Sequence, residues 1–128
     1  NSYKIKFMYT NPEIESSYRE NNIGETLYNK VLELKPNVIV EFGCLYGYST
    51  IAMAMALKQL GHGKIKCYDL WENYQYKHST IQQTIENVKQ YEWSNRTKNI
   101  IEFISICVFS DILLIILQSS SILVFILL

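Results

Sequence analysis

The sequence predicts an α/β fold in which a partial, doubly wound parallel sheet of about four strands, in the order 3-2-1-4, carries helices on both faces. Three observations predict it. Short β-branched runs alternate with stretches of helical periodicity along the 128 residues. A glycine-marked break follows the first of these runs, at Gly43. An acid, Asp69, ends the second run.

The first helix and the first strand have clear boundaries. Asn22 with Glu25 three residues later predicts a capped helix start, and apolar residues at helical spacing predict a helix over residues 23–34. Pro36 blocks its continuation. Residues 37–42 (NVIVEF) are β-branched and apolar, which predicts a buried strand.

A second helix and a second strand follow the glycine break. Residues 50–60 are rich in Ala, Met and Leu, which favour helices, and Gly61 is typical of a helix C-terminal cap. Residues 64–69 (KIKCYD) predict the second strand. This strand–helix–strand order predicts that the two strands are parallel neighbours.

The third helix and strand repeat the pattern. Ser79 and Gln82 have the spacing of a capping box, and the apolar period continues to about Tyr91. Residues 99–106 (NIIEFISI) predict the third strand. Residues 1–21 lack a clear period and are interpreted as an N-terminal arm preceding one domain over residues 22–128.

The C-terminal tail, residues 112–128, contains no charged residue. It fits a helix over residues 111–117, a loop, and a fourth strand over residues 122–128 that is buried on both faces. A short membrane span is the alternative, although QSSS interrupts the apolar residues. A third interpretation is an altered end, produced by a frame change in the source DNA.

Charge and cysteine content exclude several functions. The chain has 12 basic and 12 acidic residues, without the basic excess typical of nucleic-acid binders. Three cysteines, far apart and odd in number, predict reduced thiols and a cytoplasmic protein. No CxxC pair occurs and both histidines are isolated, so we expect no metal site. A membrane association is not expected.

The glycine break, residues 41–50 (EFGCLYGYST), has the features of a ligand-binding turn. A glycine directly after a strand lets a ligand approach the backbone, and the next helix presents unpaired amides to an anion. Gly43 and Gly47 are spaced G-x-x-x-G, which matches neither the dinucleotide pattern G-x-G-x-x-G nor the P-loop. Asp69 would face the same crevice, where a carboxylate can accept hydrogen bonds from ribose hydroxyls.

These residues resemble a known family. EFGCLYGYST is similar to the first motif of class I S-adenosylmethionine-dependent methyltransferases, roughly [ED]-x-G-x-x-x-G-x-S in the O-methyltransferase branch, and YDLW at 68–71 is similar to the acidic end of their second strand. The resemblance covers about residues 22–106. It implies a Rossmann-like fold that binds S-adenosylmethionine. The cofactor-binding residues that it implies are Glu41, Gly43, Gly47, Tyr48, Ser49, Asp69 and Trp71.

In this family Gly43 and Gly47 would approach the methionine part of the cofactor, while Tyr48 and Ser49 would contact its carboxylate or ammonium. Glu41 would orient the loop or meet the ammonium. Asp69 would hold the ribose and Trp71 would stack near the adenine.

The resemblance also implies methyl transfer to an oxygen or nitrogen nucleophile of a small molecule. Family members draw catalytic groups from the end of the fourth strand and beyond, but SILVFILL carries no acid, so the catalytic residues are unknown. The chain is therefore interpreted as the cofactor-binding half of a truncated fold. The alternatives are a catalytically silent binding module and a nicotinamide-dependent oxidoreductase. An exposed edge on the fourth strand predicts self-association.

Overall fold

The computed structural model describes residues 8–76, 79–91, 100–107 and 122–126, the last range as backbone alone. Helices and strands alternate through these residues. The elements in chain order are α1 (Ile23–Leu34), β1 (Val38–Phe42), α2 (Tyr48–Leu60), β2 (Lys64–Asp69), a 3-10 turn (Trp71–Asn73), α3 (Ile81–Lys89), β3 (Ile101–Ser105) and β4 (Ile122–Ile126).

The four strands form one parallel sheet in the order β3-β2-β1-β4. The predicted fold class and strand order are confirmed. The register places Glu41 of β1 opposite Cys67 of β2, and Asp69 at the end of β2 opposite Ser105 of β3. The carboxyl ends of β1, β2 and β3 therefore lie at one edge of the sheet, where ligands bind in open parallel sheets.

Alternating side chains of the strands separate two parts of the core: Val40 and Phe42 pack with Tyr68 in one, and Ile39 and Ile65 belong to the other. Ile39 and Ile65 pack with apolar side chains of α1 and α2, such as Val31 and Leu57. On α3, Val88 packs with Ile51 of α2, Ile101 and Phe103. The three described helices thus cover one face of the sheet. The helix predicted at residues 111–117, which would cover the other face, lies outside the described residues.

The predicted bounds of α1 and β2 are confirmed, and α2 starts two residues earlier than expected. The predicted capping box of α3 is displaced by one residue. Thr80, not Ser79, is the N-cap: the Gln83 backbone amide donates to Thr80 Oγ1 at 3.1 Å, and the Thr80 backbone amide donates to Gln83 Oε1 at 2.9 Å. Ser79 is buried instead, with its hydroxyl donating to the carbonyl of Leu45 at 3.2 Å.

Asn22 precedes α1 as predicted, but its side chain does not cap the helix. Its backbone is left-handed (φ 50°), and its amide group donates instead to the carboxylate of Glu25 at 3.0 Å. The side-chain oxygen of Asn22, Oδ1, accepts from the Tyr9 hydroxyl at 2.7 Å. Residues 8–21 continue onto the helical layer, where Ile14 packs against Tyr48.

The tail is described only at β4, which pairs with β1 in parallel. This agrees with the fourth strand predicted from residue 122. Among the described helices, none is long and apolar enough to cross a membrane. Pairing of the outer edge of β4 with a second copy stays a prediction, as do the boundary at residue 22 and the altered-end interpretation.

Candidate functional site

The loop between β1 and α2 makes a tight turn at the carboxyl edge of the sheet. Gly43 and Gly47 have positive φ angles of 83° and 97°, and Leu45 between them has φ 49°. The Gly43 amide donates to the carbonyl of Tyr68 on β2 at 2.9 Å, and the Gly47 amide donates to the carbonyl of Cys44 at 2.9 Å. Both glycines therefore occupy left-handed conformations that other residues adopt at a cost.

Leu45, at the tip of this loop, is held at both its amide and its carbonyl. The amide donates to Asp69 Oδ2 at 2.9 Å. The carbonyl accepts from Trp71 Nε1 at 3.3 Å, from Ser79 Oγ at 3.2 Å and from Thr84 Oγ1. A non-glycine residue at positive φ is strained and persists only where its surroundings hold it. These hydrogen bonds hold Leu45 in that conformation and so keep the loop in its shape.

Asp69 ends β2 beside the loop, as its position in the sequence predicts. Its second oxygen, Oδ1, accepts from the backbone amide of Trp71 at 3.1 Å. The side chain is only partly buried. Each carboxylate oxygen can accept more than one hydrogen bond, so both retain capacity for donors arriving from the crevice.

Trp71 does not lie where a ligand could stack on it. Its side chain is 2% exposed and makes an edge-to-face contact with Phe103. Its indole nitrogen donates to Thr84 Oγ1 at 3.0 Å in addition to the Leu45 carbonyl. The sequence-based expectation of adenine stacking is therefore corrected: the indole packs between the sheet and α3, because it fills the space beneath the loop.

The N-terminus of α2 opens towards the same edge. Gly47 is its N-cap and has no side chain that could cap the helix, so the first-turn amides have no side-chain cap. The hydroxyl of Tyr48 is already committed, because it donates to Asn11 Oδ1 at 2.6 Å and accepts from the Gly24 amide at 3.1 Å. The side chains of Tyr48 and Ser49 are buried, so these two residues would meet a ligand through their backbone amides.

Gly47 is required by packing as much as by its φ angle. A Cβ atom at this position would lie 3.3 Å from Val88 Cγ2 and 3.4 Å from Thr84 Cγ2. These atoms belong to α3. Gly47 thus packs closely against α3, and its expected approach to a ligand through the backbone stays a prediction; Gly43 is partly exposed at the loop.

Glu41 lies behind the loop and is fully buried, with 0% of its surface exposed. Its Oε1 accepts from Thr50 Oγ1 at 2.6 Å, while Oε2 has no hydrogen-bond partner among the described residues. Burial raises the pKa of Glu41 to about 7, an effect that nearby Thr50, Cys44 and Ser49 only partly offset. Glu41 thus faces the interior rather than the crevice.

A protein family and several solved structures resemble this chain over most of its length. The family model described as "Rhamnosyl O-methyltransferase/CmcI" matches residues 4–123. The chain belongs to this family. This membership confirms the resemblance to the O-methyltransferase branch of class I S-adenosylmethionine-dependent methyltransferases at the level of the family. Among curated protein sequences, none matches the chain.

Solved methyltransferase structures share the fold. An S-adenosylhomocysteine (SAH)-bound methyltransferase from Podospora anserina, PaMTH1, is 21% identical over 88% of this chain, with a TM-score of 0.60. Cofactor-bound Rv0187 from MTB is 23% identical over 90% (TM-score 0.58), and an O-methyltransferase from Bacillus cereus in complex with SAH is 21% identical over 91% (TM-score 0.57). This family member spans 41%, 45% and 48% of those three chains.

Sequence reasoning missed the part of the site contributed by α3. Thr84 is fully buried and bridges Trp71 to the loop, and Asn87 donates from Nδ2 to the carbonyl of Tyr46 at 3.0 Å. Both follow the capping box at i+4 and i+7, on one face of the helix. Two polar residues at this spacing, next to apolar Val88, were the sequence signal that this face of α3 contacts the loop.

Proposed function

We propose that this chain is the cofactor-binding part of an S-adenosylmethionine-dependent methyltransferase that acts on an oxygen nucleophile of a small molecule. The observation that carries the proposal is the 2.9 Å hydrogen bond between the Leu45 amide and Asp69 Oδ2. It joins the glycine loop and the acid of β2 into one ligand-binding edge. Family membership and the shared fold support the same function.

Three features of the site fit the cofactor. Asp69 is partly exposed and has hydrogen-bond capacity left for two ribose hydroxyls. The uncapped first turn of α2, at Tyr48 and Ser49, offers amides for the methionine carboxylate. Gly43, at φ 83°, lets that end of the ligand approach the backbone.

When bound, the cofactor would supply a methyl group on a sulfonium, which leaves as a neutral thioether. This chain's residues would hold and orient it, an effect worth up to about 7–11 kcal/mol when the reacting groups are aligned. Glu41 acts indirectly in this proposal. Its carboxyl group holds Thr50 at the start of α2 and thereby positions the helix end.

A thermal-shift titration with S-adenosylhomocysteine, S-adenosylmethionine and NAD tests cofactor binding. At about 100 times its dissociation constant, a ligand should stabilise the fold by roughly 2.7 kcal/mol. We expect a shift with the two sulfur nucleosides and none with NAD. In Asp69→Asn the shift should fall, whereas the matched acid-to-amide control Glu102→Gln, on the exposed part of β3, should keep it.

The outcomes separate the candidate functions. A shift with NAD alone would favour a nicotinamide-dependent oxidoreductase. No shift with any of the three ligands in a folded chain would favour a silent module and contradict the proposal. A further assay with catechol and other small hydroxylated acceptors, measuring S-adenosylhomocysteine release, tests transfer itself. Binding of S-adenosylhomocysteine without turnover would favour the second candidate, a catalytically silent binding module.

A further inference from the structure

Glu41, Cys44 and Cys67 form a buried polar cluster behind the glycine loop. One donor atom of each lies within 4.8 Å of the other two. Glu41 and Cys67 are register partners on β1 and β2, and Cys44 follows β1 by two residues, so the sheet and the loop fix their proximity. None of the three belongs to the surface on which the cofactor is proposed to lie, because all are buried.

One acceptor in this cluster is unsatisfied. Glu41 Oε2 is buried and has no hydrogen-bond partner among the residues that the structure describes. A buried acceptor without a partner costs about 1–3 kcal/mol. Since Oε1 already accepts from Thr50, the free oxygen is the group that a cation or a proton would satisfy.

The chemistry of the donors selects the kind of cation. Two thiols and a carboxylate are ligands of zinc and of other thiophilic ions. Thr50 Oγ1 borders the cluster, where it donates to Glu41 Oε1 at 2.6 Å and accepts from Cys67 Sγ at 3.8 Å. A tetrahedral zinc ion, with Zn–S of about 2.3 Å, places its sulfur ligands roughly 3.8 Å apart. The donor atoms of the cluster lie within 4.8 Å of one another, so shifts of about 0.5 Å per atom would bring them to that spacing.

A divalent cation in this cluster would bind two thiolates and a carboxylate, so its binding would release the two thiol protons to solvent.

We propose that Glu41, Cys44 and Cys67 form a structural site for a thiophilic divalent cation of the zinc type. All three donor residues are buried, so an ion held by them would lie away from the crevice where a substrate binds. Its role is to tie the β1–α2 loop to β2. The site is independent of the proposed cofactor binding and is tested without any nucleotide.

Cadmium is the spectroscopic probe, because thiolate ligation gives an ultraviolet charge-transfer band. The full chain is freed of metal with a chelator, kept reduced with a phosphine, and titrated with Cd²⁺ and then with Zn²⁺. We expect one equivalent to bind, with the thiolate band and a higher melting temperature. Cys44→Ser and Cys67→Ser should weaken binding by about tenfold or more. The matched control Cys107→Ser, at an exposed cysteine, should bind as the unchanged chain does.

A measurement on the unchanged chain keeps the proposal testable if those variants do not fold. The ¹¹³Cd chemical shift of the cadmium-loaded protein reports the number of thiolate ligands, and we expect two. No binding by the folded, reduced chain would overturn the proposal. So would a cadmium shift typical of oxygen ligands only, or a thiolate band that Cys107→Ser removes.

Discussion

Two helices of this chain begin in opposite ways. At α3, Thr80 and Gln83 form a complete capping box, so the helix end is closed by its own side chains. At α2, Gly47 provides no side chain, and the helix end has no side-chain cap. The closed end lies beside the loop and supports it, whereas the open end points along the edge where a ligand would bind.

The contrast between the two helix ends separates the residues that stabilise the loop from the end that is open to a ligand. Thr84 of α3 and Trp71 hold the carbonyl side of Leu45, and Asp69 holds its amide. The open end of α2 is therefore fixed from outside by α3 and by the end of β2. An uncapped helix end is tolerated here because neighbouring elements keep it in place.

Replacing Glu41 tests the buried acid under the start of α2. The pKa of its carboxyl group rises from 4.5 to about 7 on folding, so the folded chain binds an extra proton between these pH values. Stability is therefore lost as pH rises through this window. Glu41→Gln carries no charge and should not show this loss. Above pH 7 its free energy of unfolding should therefore exceed that of the unchanged chain by on the order of 2–4 kcal/mol.

Urea unfolding below pH 4.5 and above pH 7, with a chelator present, measures this difference. The exposed Glu102→Gln serves as the control and should follow the unchanged chain. Parallel pH profiles for Glu41→Gln and the unchanged chain would show that Glu41 does not carry the effect.

Replacing Thr84 tests the support that α3 gives to the loop. Thr84→Val keeps the shape but removes the hydroxyl that accepts from Trp71 and donates to Leu45. We expect a loss of about 1–3 kcal/mol, because buried polar groups lose their partners. Chemical denaturation measures it. Thr84→Ser, which retains the hydroxyl, should lose less; an equal loss in both variants would point to packing alone.

Gly47→Ala tests the open end itself. The left-handed φ of 97° and the contacts with Thr84 and Val88 make a Cβ atom unfavourable, so we expect a loss of roughly 1–3 kcal/mol. Gly61→Ala, at φ 78° with open space around it, is the matched control, because it carries backbone strain without the contacts. The excess loss at Gly47 over Gly61 measures the packing against α3, and its absence would contradict that role.

Thr80→Ala tests the closed end and should have the smallest effect. Removing the capping hydroxyl should cost about 1 kcal/mol. Thermal unfolding measures it, with Thr80→Ser as the variant that retains the cap. If Thr80→Ala also abolished the S-adenosylhomocysteine-induced shift, the separation between a structural and a ligand-facing helix end would be wrong.

Much of the fold could be predicted from the sequence because its signals are local. The ends of α1 and α2 follow from apolar periodicity and from Pro36 and Gly61, each of which lies within two residues of the helix that it ends. The strand order follows from the alternation of strands and helices. The glycine loop and Asp69 were identified because the carboxyl ends of parallel strands meet at one edge.

The rest of the site depends on contacts between distant residues. The expected absence of a metal-binding group rested on sequence spacing, yet Cys44 and Cys67, 23 residues apart in the sequence, share one buried cluster with Glu41. Trp71 was assigned to the adenine because it follows Asp69, but the space between the sheet and α3 takes its ring. The capping residue shifted from Ser79 to Thr80 because Ser79 donates to Leu45, 34 positions away.

The sequence alone thus determined the order of the elements and the identity of the loop, since hydrogen bonding within helices and periodic burial act over short stretches of chain. Which side chains face the crevice and which face the core depends on contacts that form only in the folded chain. That division depends on how α3 packs against the loop and on which strands are neighbours. Such contacts place Thr84 under Leu45 and Cys67 beside Glu41, and no spacing rule along the chain encodes them.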